Sequence, residues 1–447
     1  MNKILVLGAG RSASSLIDYL LGQGRIFGWS ITIGDYNLAA ATERVVEARY
    51  GAAIQFDIND NVSSARSISK ADVVISLLPP HFHIQVAAIC LEFRKHLLNA
   101  SYVSDEMALL HEEAKANDLL FLNECGLDPG IDHMSAMQVI DRVHAEGGDF
   151  ISFESFTGGL IAPETDPGNP WRYKFTWNPR NVVMAGQSTA KFLQDGYHRY
   201  IPYQQLFQRI TPVDVDGVWY EGYANRDSLK YRSTYGLDGI QTMLRGTLRN
   251  RGFCSAWNIL VQLGCCDDTY QMENVTPMTH RSFLNSFVES GGGLSTEESI
   301  MKKFGLAHDG DSMKRLVWSG FFNDESVGLD SGSPAAILEH ILKKKWTLGY
   351  DDKDFIVMWH RFVYEKNGDR FEIQSRMTAT GHNQTDTAMA RTVGLPLAIA
   401  ACLLMQGKIK SRGVVIPTVP EIYNPILETL QMLGIKLDER EAVRLSF

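Results

Sequence analysis

Short apolar runs alternate with amphipathic stretches through the first part of the chain. Residues 4–7, 53–56, 72–77, 97–100 and 119–122 are dominated by Val, Ile, Leu, Ala and Phe, as expected of strands buried on both faces of a parallel sheet. A further run, 29–33, leads to Asp35. Residues 14–21 and 135–144 carry apolar positions at helical spacing, with Met137, Val139, Ile140 and Val143 marking the second face. Pro79-Pro80 stops the 72–77 run abruptly, and glycines follow the 4–7 and 119–122 runs.

The pattern changes near residue 150. Residues 152–156 and 218–220 read as strands of a different, antiparallel sheet, and 158–164, 169–177, 225–228 and 244–247 read as loops. Residues 246–345 are mostly helical in period, with Gly291–Gly293 as an exposed break. Residues 355–364 and 370–377 alternate about Lys366-Asn367-Gly368-Asp369, a hairpin signal. A long apolar helix over 387–406, a strand over 413–417 and a helix over 424–433 close the chain. The fold class predicted is α/β: a Rossmann-like domain, a mixed α/β domain and a helical domain. At 447 residues, two or three domains are expected.

Composition narrows the function classes. With 45% hydrophobic and 21% charged residues the chain is globular. A balance of 43 basic against 52 acidic residues, net −9, argues against a nucleic-acid surface. The longest apolar run, 395–405, contains Pro396 and falls short of the ~20 residues that span a bilayer, so no membrane partner is expected. Six scattered cysteines lack metal-ligand spacing and read as free thiols of a reducing cytoplasm, with no metal. The chain enters its first strand at once, so no secretory leader is expected.

Candidate chemistry collects where the strands end. Gly8-Ala9-Gly10-Arg11-Ser12-Ala13 matches Gly-x-Gly-x-x-Gly/Ala between a strand and a helix. The first glycine makes the turn, the second lets the backbone approach a pyrophosphate, and Ala13 keeps helix and strand close. Asp35, at the end of the next strand, has the spacing of the acid that receives the ribose hydroxyls and repels a 2′-phosphate. It favours NAD; Arg11 or Arg44 meeting a phosphate would admit NADP. Tyr36, Asp57, Ile58, Leu78, Ala100, Ser101, Leu127, Asp128 and Pro129, at or beyond other strand ends, complete the predicted dinucleotide site. His81 and His83 read as helix-entry residues near the cofactor rather than a metal pair. The loop 123–133 combines two glycines and a proline with Glu124, Asp128, Asp132 and His133. Arg172, Lys174, Arg226 and Arg245, cations in loops of an acidic chain, suit a substrate bearing carboxylates.

These residues carry a resemblance. Gly8-Ala9-Gly10, residues 73–79 with Phe82-His83, Ser101-Tyr102, Asn123-Glu124 with 126–133, Gly158-Gly159-Leu160, Tyr173-Lys174-Phe175, residues 225–228, residues 245–249 and Thr392-Val393-Gly394 keep their order across the chain. In this the chain resembles the single-function, glutamate-forming saccharopine reductases of fungi. The resemblance implies oxidation of saccharopine at its secondary amine and hydrolysis to glutamate and 2-aminoadipate 6-semialdehyde. It implies contact with saccharopine by Ser101, Tyr102, Asp128, Arg226 and the turn Arg245-Gly246-Thr247, and makes Lys174 a carboxylate ligand. Asp128 and Tyr102 become the candidates to steer protons. Domains would run 1–127 with 388–447 (Rossmann-like), 128–245 with 346–387 (substrate-binding, forming a homodimer) and 246–345 (helical cover). Two departures stand out. The family uses NADP and lacks an acid at the place of Asp35, which leaves NAD as the reading from the residue; and Thr157 replaces a family cysteine beside the glycine pair. The alternatives are a carboxynorspermidine or homospermidine synthase, which would want an acidic pocket, and a non-catalytic NAD-binding protein.

Overall fold

A computed structural model describes residues 2–45, 49–185, 188–289 and 293–445; Gly291 and Gly292 of the predicted break, and the side chain of Arg11, lie outside the described residues. The chain divides into two compact units, 1–148 with 377–438 and 149–376 with 439–447.

In the first unit, strands β1 (Lys3–Leu7), β2 (Ser30–Asp35), β3 (Gly51–Gln55), β4 (Val73–Ser76), β5 (His96–Asn99) and β6 (Leu120–Leu122) pair in parallel in the order β6-β5-β4-β1-β2-β3. This is the doubly wound arrangement, with the order reversing between β1 and β4. Every residue of β4 is buried, as its unbroken Val-Val-Ile-Ser requires in a sheet covered on both faces. A seventh strand, Gly413–Val415, adds beside β6 from the far end of the chain. The helix Ala388–Met405 starts on Thr387, whose side chain accepts from the Ala390 N–H. It is long and apolar enough to cross a membrane, and 83% of it is buried in the protein, as in a core helix. Its Gly394 lies against the turn after β1: a Cβ there would meet Leu16 at 3.0 Å and the Ser12 carbonyl at 3.1 Å.

The second unit is built on a mixed sheet. It runs through β7 (Asp149–Ile161), β10 (Ile210–Val215), β11 (Val218–Ala224), β12 (Thr242–Asn250), β13 (Asp354–Lys366) and β14 (Asp369–Thr380) in the order β10-β11-β12-β7-β13-β14, with β8 (Ala190–Gln194) and β9 (Tyr197–Ile201) paired to each other at its side. β7 is parallel to β12 and antiparallel to β13, so the sheet is not the antiparallel one expected. The hairpin β13–β14 turns on Asn367 (φ 55°) and Gly368 (φ 82°), the left-handed pair of a tight primed turn. The chain returns to the first unit within β14, and residues 439–445 come back to the second.

Two expectations are corrected. Gly158 to Ile161 continue β7 instead of looping, because Gly158 is where strands close in: a Cβ would meet the Leu248 carbonyl at 2.9 Å. Arg245-Gly246-Thr247 lie inside β12, not in a loop. After β12 the helices Phe253–Leu263, His280–Asn285, Thr296–Phe304, Asp311–Trp318 and Pro334–Trp346 bury their apolar faces in one core with Phe156, Leu160, Val357 and Trp359 of the sheet. The rings of Trp171, Phe253, Trp257 and Trp346 stack or meet edge-on in it.

Candidate active site

The carboxyl ends of β1, β2, β4, β5 and β6 bring most of the predicted first-unit residues to one sheet edge. Gly8 has φ +102° and its amide donates to the Gly34 carbonyl at 2.8 Å. A Cβ on Gly10 would meet nothing within 4 Å, so the space beside the turn is open where a pyrophosphate would lie. Arg11-Ser12-Ala13 form a short 3-10 turn that leads into the helix Ser14–Phe27, whose amides face that space. Asp35 is held in place: its Oδ2 accepts from the Ala9 N–H at 2.7 Å and its Oδ1 from the Asn37 N–H at 2.8 Å. Tyr36 is 73% exposed beside it. Asp57 receives both nitrogens of Asn59, at 2.9 and 3.1 Å. The Ile58 side chain is buried in the first-unit core, and its carbonyl accepts from Gln85. Leu78, Ala100 and Ser101 are half-buried at the same edge.

The loop after β6 is a compact knot. Gly130, at φ +148°, packs backbone to backbone on Gly126, where a Cβ would fall 2.1 Å from the Gly126 carbonyl oxygen. Gly126 donates to the Pro129 carbonyl, and the Asp128–Pro129 peptide is cis. Leu127 and Pro129 are buried while Asp128 is half-exposed, with its Oδ1 3.4 Å from the Tyr102 hydroxyl. The other two carboxylates do structural work. Buried Glu124, itself at φ 56°, accepts from the Val103 N–H through Oε1 and pairs with His133 Nε2 through Oε2, both at 2.9 Å. Buried Asp132 takes the Gly130 N–H at 2.6 Å. Glu124 therefore ties the Ser101-Tyr102 turn to the start of the helix Ile131–Ala145. Beside it, His83 bridges Ser76 and Ser101, at 3.0 and 2.8 Å. Burial, with the neighbouring His81, pushes its imidazole pKa down to about 4, so it is neutral near pH 7.

The predicted acid-binding cations lie in the second unit. Arg226, exposed at φ 48°, follows β11, and Arg245 lies on β12; the Asn225 N–H donates to the Arg245 carbonyl at 2.9 Å, which ties the two segments together. The Arg245 guanidinium sits 4.6 Å over the Tyr231 ring. Thr247 is half-buried one turn of the pleat further on. Gly246 is tightly packed, since a Cβ would meet Phe156 at 2.3 Å. Lys174 ion-pairs with Asp352 at 2.7 Å and Asp166 at 3.0 Å, so a ligand carboxylate reaching it would join an ion cluster. Arg172 is exposed and its carbonyl accepts from Asn250. Sequence reasoning assigned no role to Arg249, which is 3% exposed among the rings of Tyr173, Tyr223 and Phe253. All six cysteines are buried and free, and burial raises every thiol pKa, which removes a thiolate from consideration.

Residues 4–122 match the family described as the saccharopine dehydrogenase NADP binding domain, and residues 126–435 the one described as the saccharopine dehydrogenase C-terminal domain. The chain belongs to the saccharopine dehydrogenase family. It is 32% identical to the NADP(+), L-glutamate-forming saccharopine dehydrogenase of Schizosaccharomyces pombe, over 98% of this chain and 99% of that one. It is 34% identical to the alpha-aminoadipic semialdehyde synthase of Arabidopsis thaliana, covering 98% of this chain and only 44% of that longer protein. Among solved structures, the apo L-Glu-forming saccharopine dehydrogenase of Saccharomyces cerevisiae superposes with a TM-score of 0.88 at 30% identity, covering 99% of this chain and all of that one. The homospermidine synthase of Legionella pneumophila shares the fold, with a TM-score of 0.55 at 10% identity over 98% of this chain and 91% of that one.

Proposed function

We propose that this family member interconverts saccharopine with L-glutamate and L-2-aminoadipate 6-semialdehyde in lysine metabolism. The observation that carries the reading is the half-exposed Asp128 within 3.4 Å of the Tyr102 hydroxyl, on the sheet edge that also holds the open glycine turn. The bound nicotinamide supplies the hydride acceptor. The chain's own residues do the rest. The secondary amine must be neutral before its carbon can give up hydride, so a group beside the nitrogen has to take the ammonium proton. We assign that proton to Asp128, with the Tyr102 O–H, 3.4 Å from it, to hold its carboxylate in position. Water then adds to the C=N carbon. As the C–N bond breaks, the nitrogen leaves with the electron pair and a proton, and the aldehyde remains. Within the second unit, Arg226 and Arg245 are cations of the kind that bind carboxylates.

Asp35 supports NAD as the preferred dinucleotide. Its carboxylate, fixed by two backbone amides, presents negative charge where NADP carries its extra phosphate. The fungal relatives are named for NADP(+), so the ratio of activities with the two cofactors is the direct test. A homodimer in the cytoplasm is part of the same reading. Tyr197, Tyr200, Val218 and Trp219 on β9 and β11 are each at least half exposed, large apolar side chains of the kind that association covers.

The test is reduced-dinucleotide formation on adding saccharopine. Turnover supports the reading. No turnover with saccharopine, but turnover with a diamine and an aldehyde, would favour the homospermidine-synthase chemistry; no turnover with either would leave a dinucleotide-binding protein without this activity.

A further inference from the structure

His83 opens the helix His83–Glu92, directly after the turn Pro80–Phe82 that follows β4. Its ring lies between two hydroxyls, Ser76 Oγ at 3.0 Å from Nδ1 and Ser101 Oγ at 2.8 Å from Nε2. His83 is 5% exposed and Ser76 only 1%. A buried, neutral imidazole carries a single N–H, so one ring nitrogen donates and the other accepts.

Ser76 decides which. Its hydroxyl is hydrogen-bonded to His83 Nδ1 and to no other side chain or carbonyl among the described residues. Were Ser76 the acceptor, its own proton would be buried without a partner, which forfeits the solvation of a polar donor. Ser76 therefore donates to Nδ1, which leaves the proton on Nε2, and Nε2–H donates to Ser101 Oγ. The Ser101 backbone is pinned at the same time: its N–H donates to Asn99 Oδ1 at 2.9 Å, and its carbonyl accepts from the Glu124 N–H at 3.1 Å. The freedom left at Ser101 is the direction of its own O–H. With one lone pair engaged by His83, that proton is available to whatever is bound at the sheet edge.

We infer that His83, oriented by Ser76, is a positioning residue that fixes Ser101 as a hydrogen-bond donor to an acceptor oxygen of the bound molecule. The chemistry recognised is a carboxylate or carboxamide oxygen. Two sources provide one: a carboxylate of the amino-acid substrate and the carboxamide of the nicotinamide ring. The kinetic part of this inference rests on the saccharopine reading above, and the spectroscopic part does not.

The experiment has two arms. In the full-length protein with nitrogen-15-labelled histidine, the His83 ring should show a protonated Nε2 and an unprotonated Nδ1; the opposite tautomer overturns the inference whatever the substrate. In the second arm, His83→Leu should lower kcat/KM for saccharopine by about tenfold or more, the scale of one hydrogen bond to a charged group. His83→Gln, which keeps an N–H near the place of Nε2, should restore most of it. A loss seen mainly in saccharopine KM, with the Kd for the reduced dinucleotide unchanged by fluorescence titration, assigns the substrate carboxylate. A loss seen in the dinucleotide Kd assigns the carboxamide. Should His83→Leu fail to fold, Ser76→Ala removes the orienting donor instead and should move the same constants in the same direction. A folded variant with both constants unchanged sinks the inference. A wild-type protein inactive on saccharopine sinks the functional reading and leaves the spectrum to decide this one.

Discussion

Replacing Asp35 by serine separates the two cofactor readings. In the native structure the Asp35 carboxylate already accepts from the Ala9 and Asn37 amides, at 2.7 and 2.8 Å, and a carboxylate has lone pairs left to accept from a ribose hydroxyl. A ribose hydroxyl donating to that carboxylate makes a charge-assisted bond, and its loss costs about 1.5–3 kcal/mol, or roughly ten- to a hundredfold in the NADH Kd. For NADPH the sign reverses. A carboxylate about 4 Å from a 2′-phosphate charge repels it by about 1–4 kcal/mol at surface dielectrics, and serine removes that repulsion. The two effects act on the same ratio, so the NAD-to-NADP preference in kcat/KM should fall by about a hundredfold or more. Initial rates of saccharopine oxidation with each dinucleotide, with a melting curve to show that the β1–β2 turns survive, measure this directly. A folded Asp35→Ser protein with an unchanged preference would refute the reasoning and place the reading of the ribose elsewhere.

Asp128→Ala should lower kcat at saturating saccharopine by about 10²–10⁴, the range of a lost general acid or base, while the dinucleotide KM changes far less; unchanged turnover removes Asp128 from the chemistry. Gly246→Ala drives a Cβ to 2.3 Å from Phe156 and 2.5 Å from the Tyr223 carbonyl and should destabilise the second unit by about 1–3 kcal/mol in urea unfolding. Gly10→Ala, with nothing within 4 Å, should leave stability intact and weaken dinucleotide binding. The depressed His83 pKa, about 4 against 6.5 unfolded, means the unfolded chain binds a proton that the folded chain refuses between those values. Stability present above pH 6.5 is then lost as pH falls toward 4, by up to about 3 kcal/mol, and denaturant unfolding of His83→Gln should show that much less acid sensitivity.

Much of the first unit was legible because its signals are local. Unbroken apolar runs mark strands covered on both faces, and the strand-turn-helix around Gly8 and Gly10 needs nothing from the rest of the chain to be read. The second unit was harder where glycine misled. Gly158 and Gly246 look like turn residues, but each sits inside a strand because Leu248 or Phe156 fills the space a side chain would need. The helices after β12 kept their period, yet nothing in a period says which core a helix will share. The loop 123–133 was recognised as chemistry-bearing, and its division of labour was not. That Glu124 and Asp132 hold backbone while Asp128 faces outward depends on bonds to Val103, His133 and Gly130, which only three-dimensional placement reveals.

The strand Gly413–Val415 and the helix Ala388–Met405 reach the first unit only after the whole of 149–376 has been translated. At about 5–20 residues per second, a ribosome leaves β6 as a bare sheet edge for on the order of ten seconds or more. During that time Leu16 and its neighbours lack the helix that will cover them. The later-synthesised unit is thus nearly contiguous in sequence, and the half made earliest stays incomplete until the tail arrives. A truncation before residue 388 should for that reason aggregate rather than yield a smaller dinucleotide-binding protein.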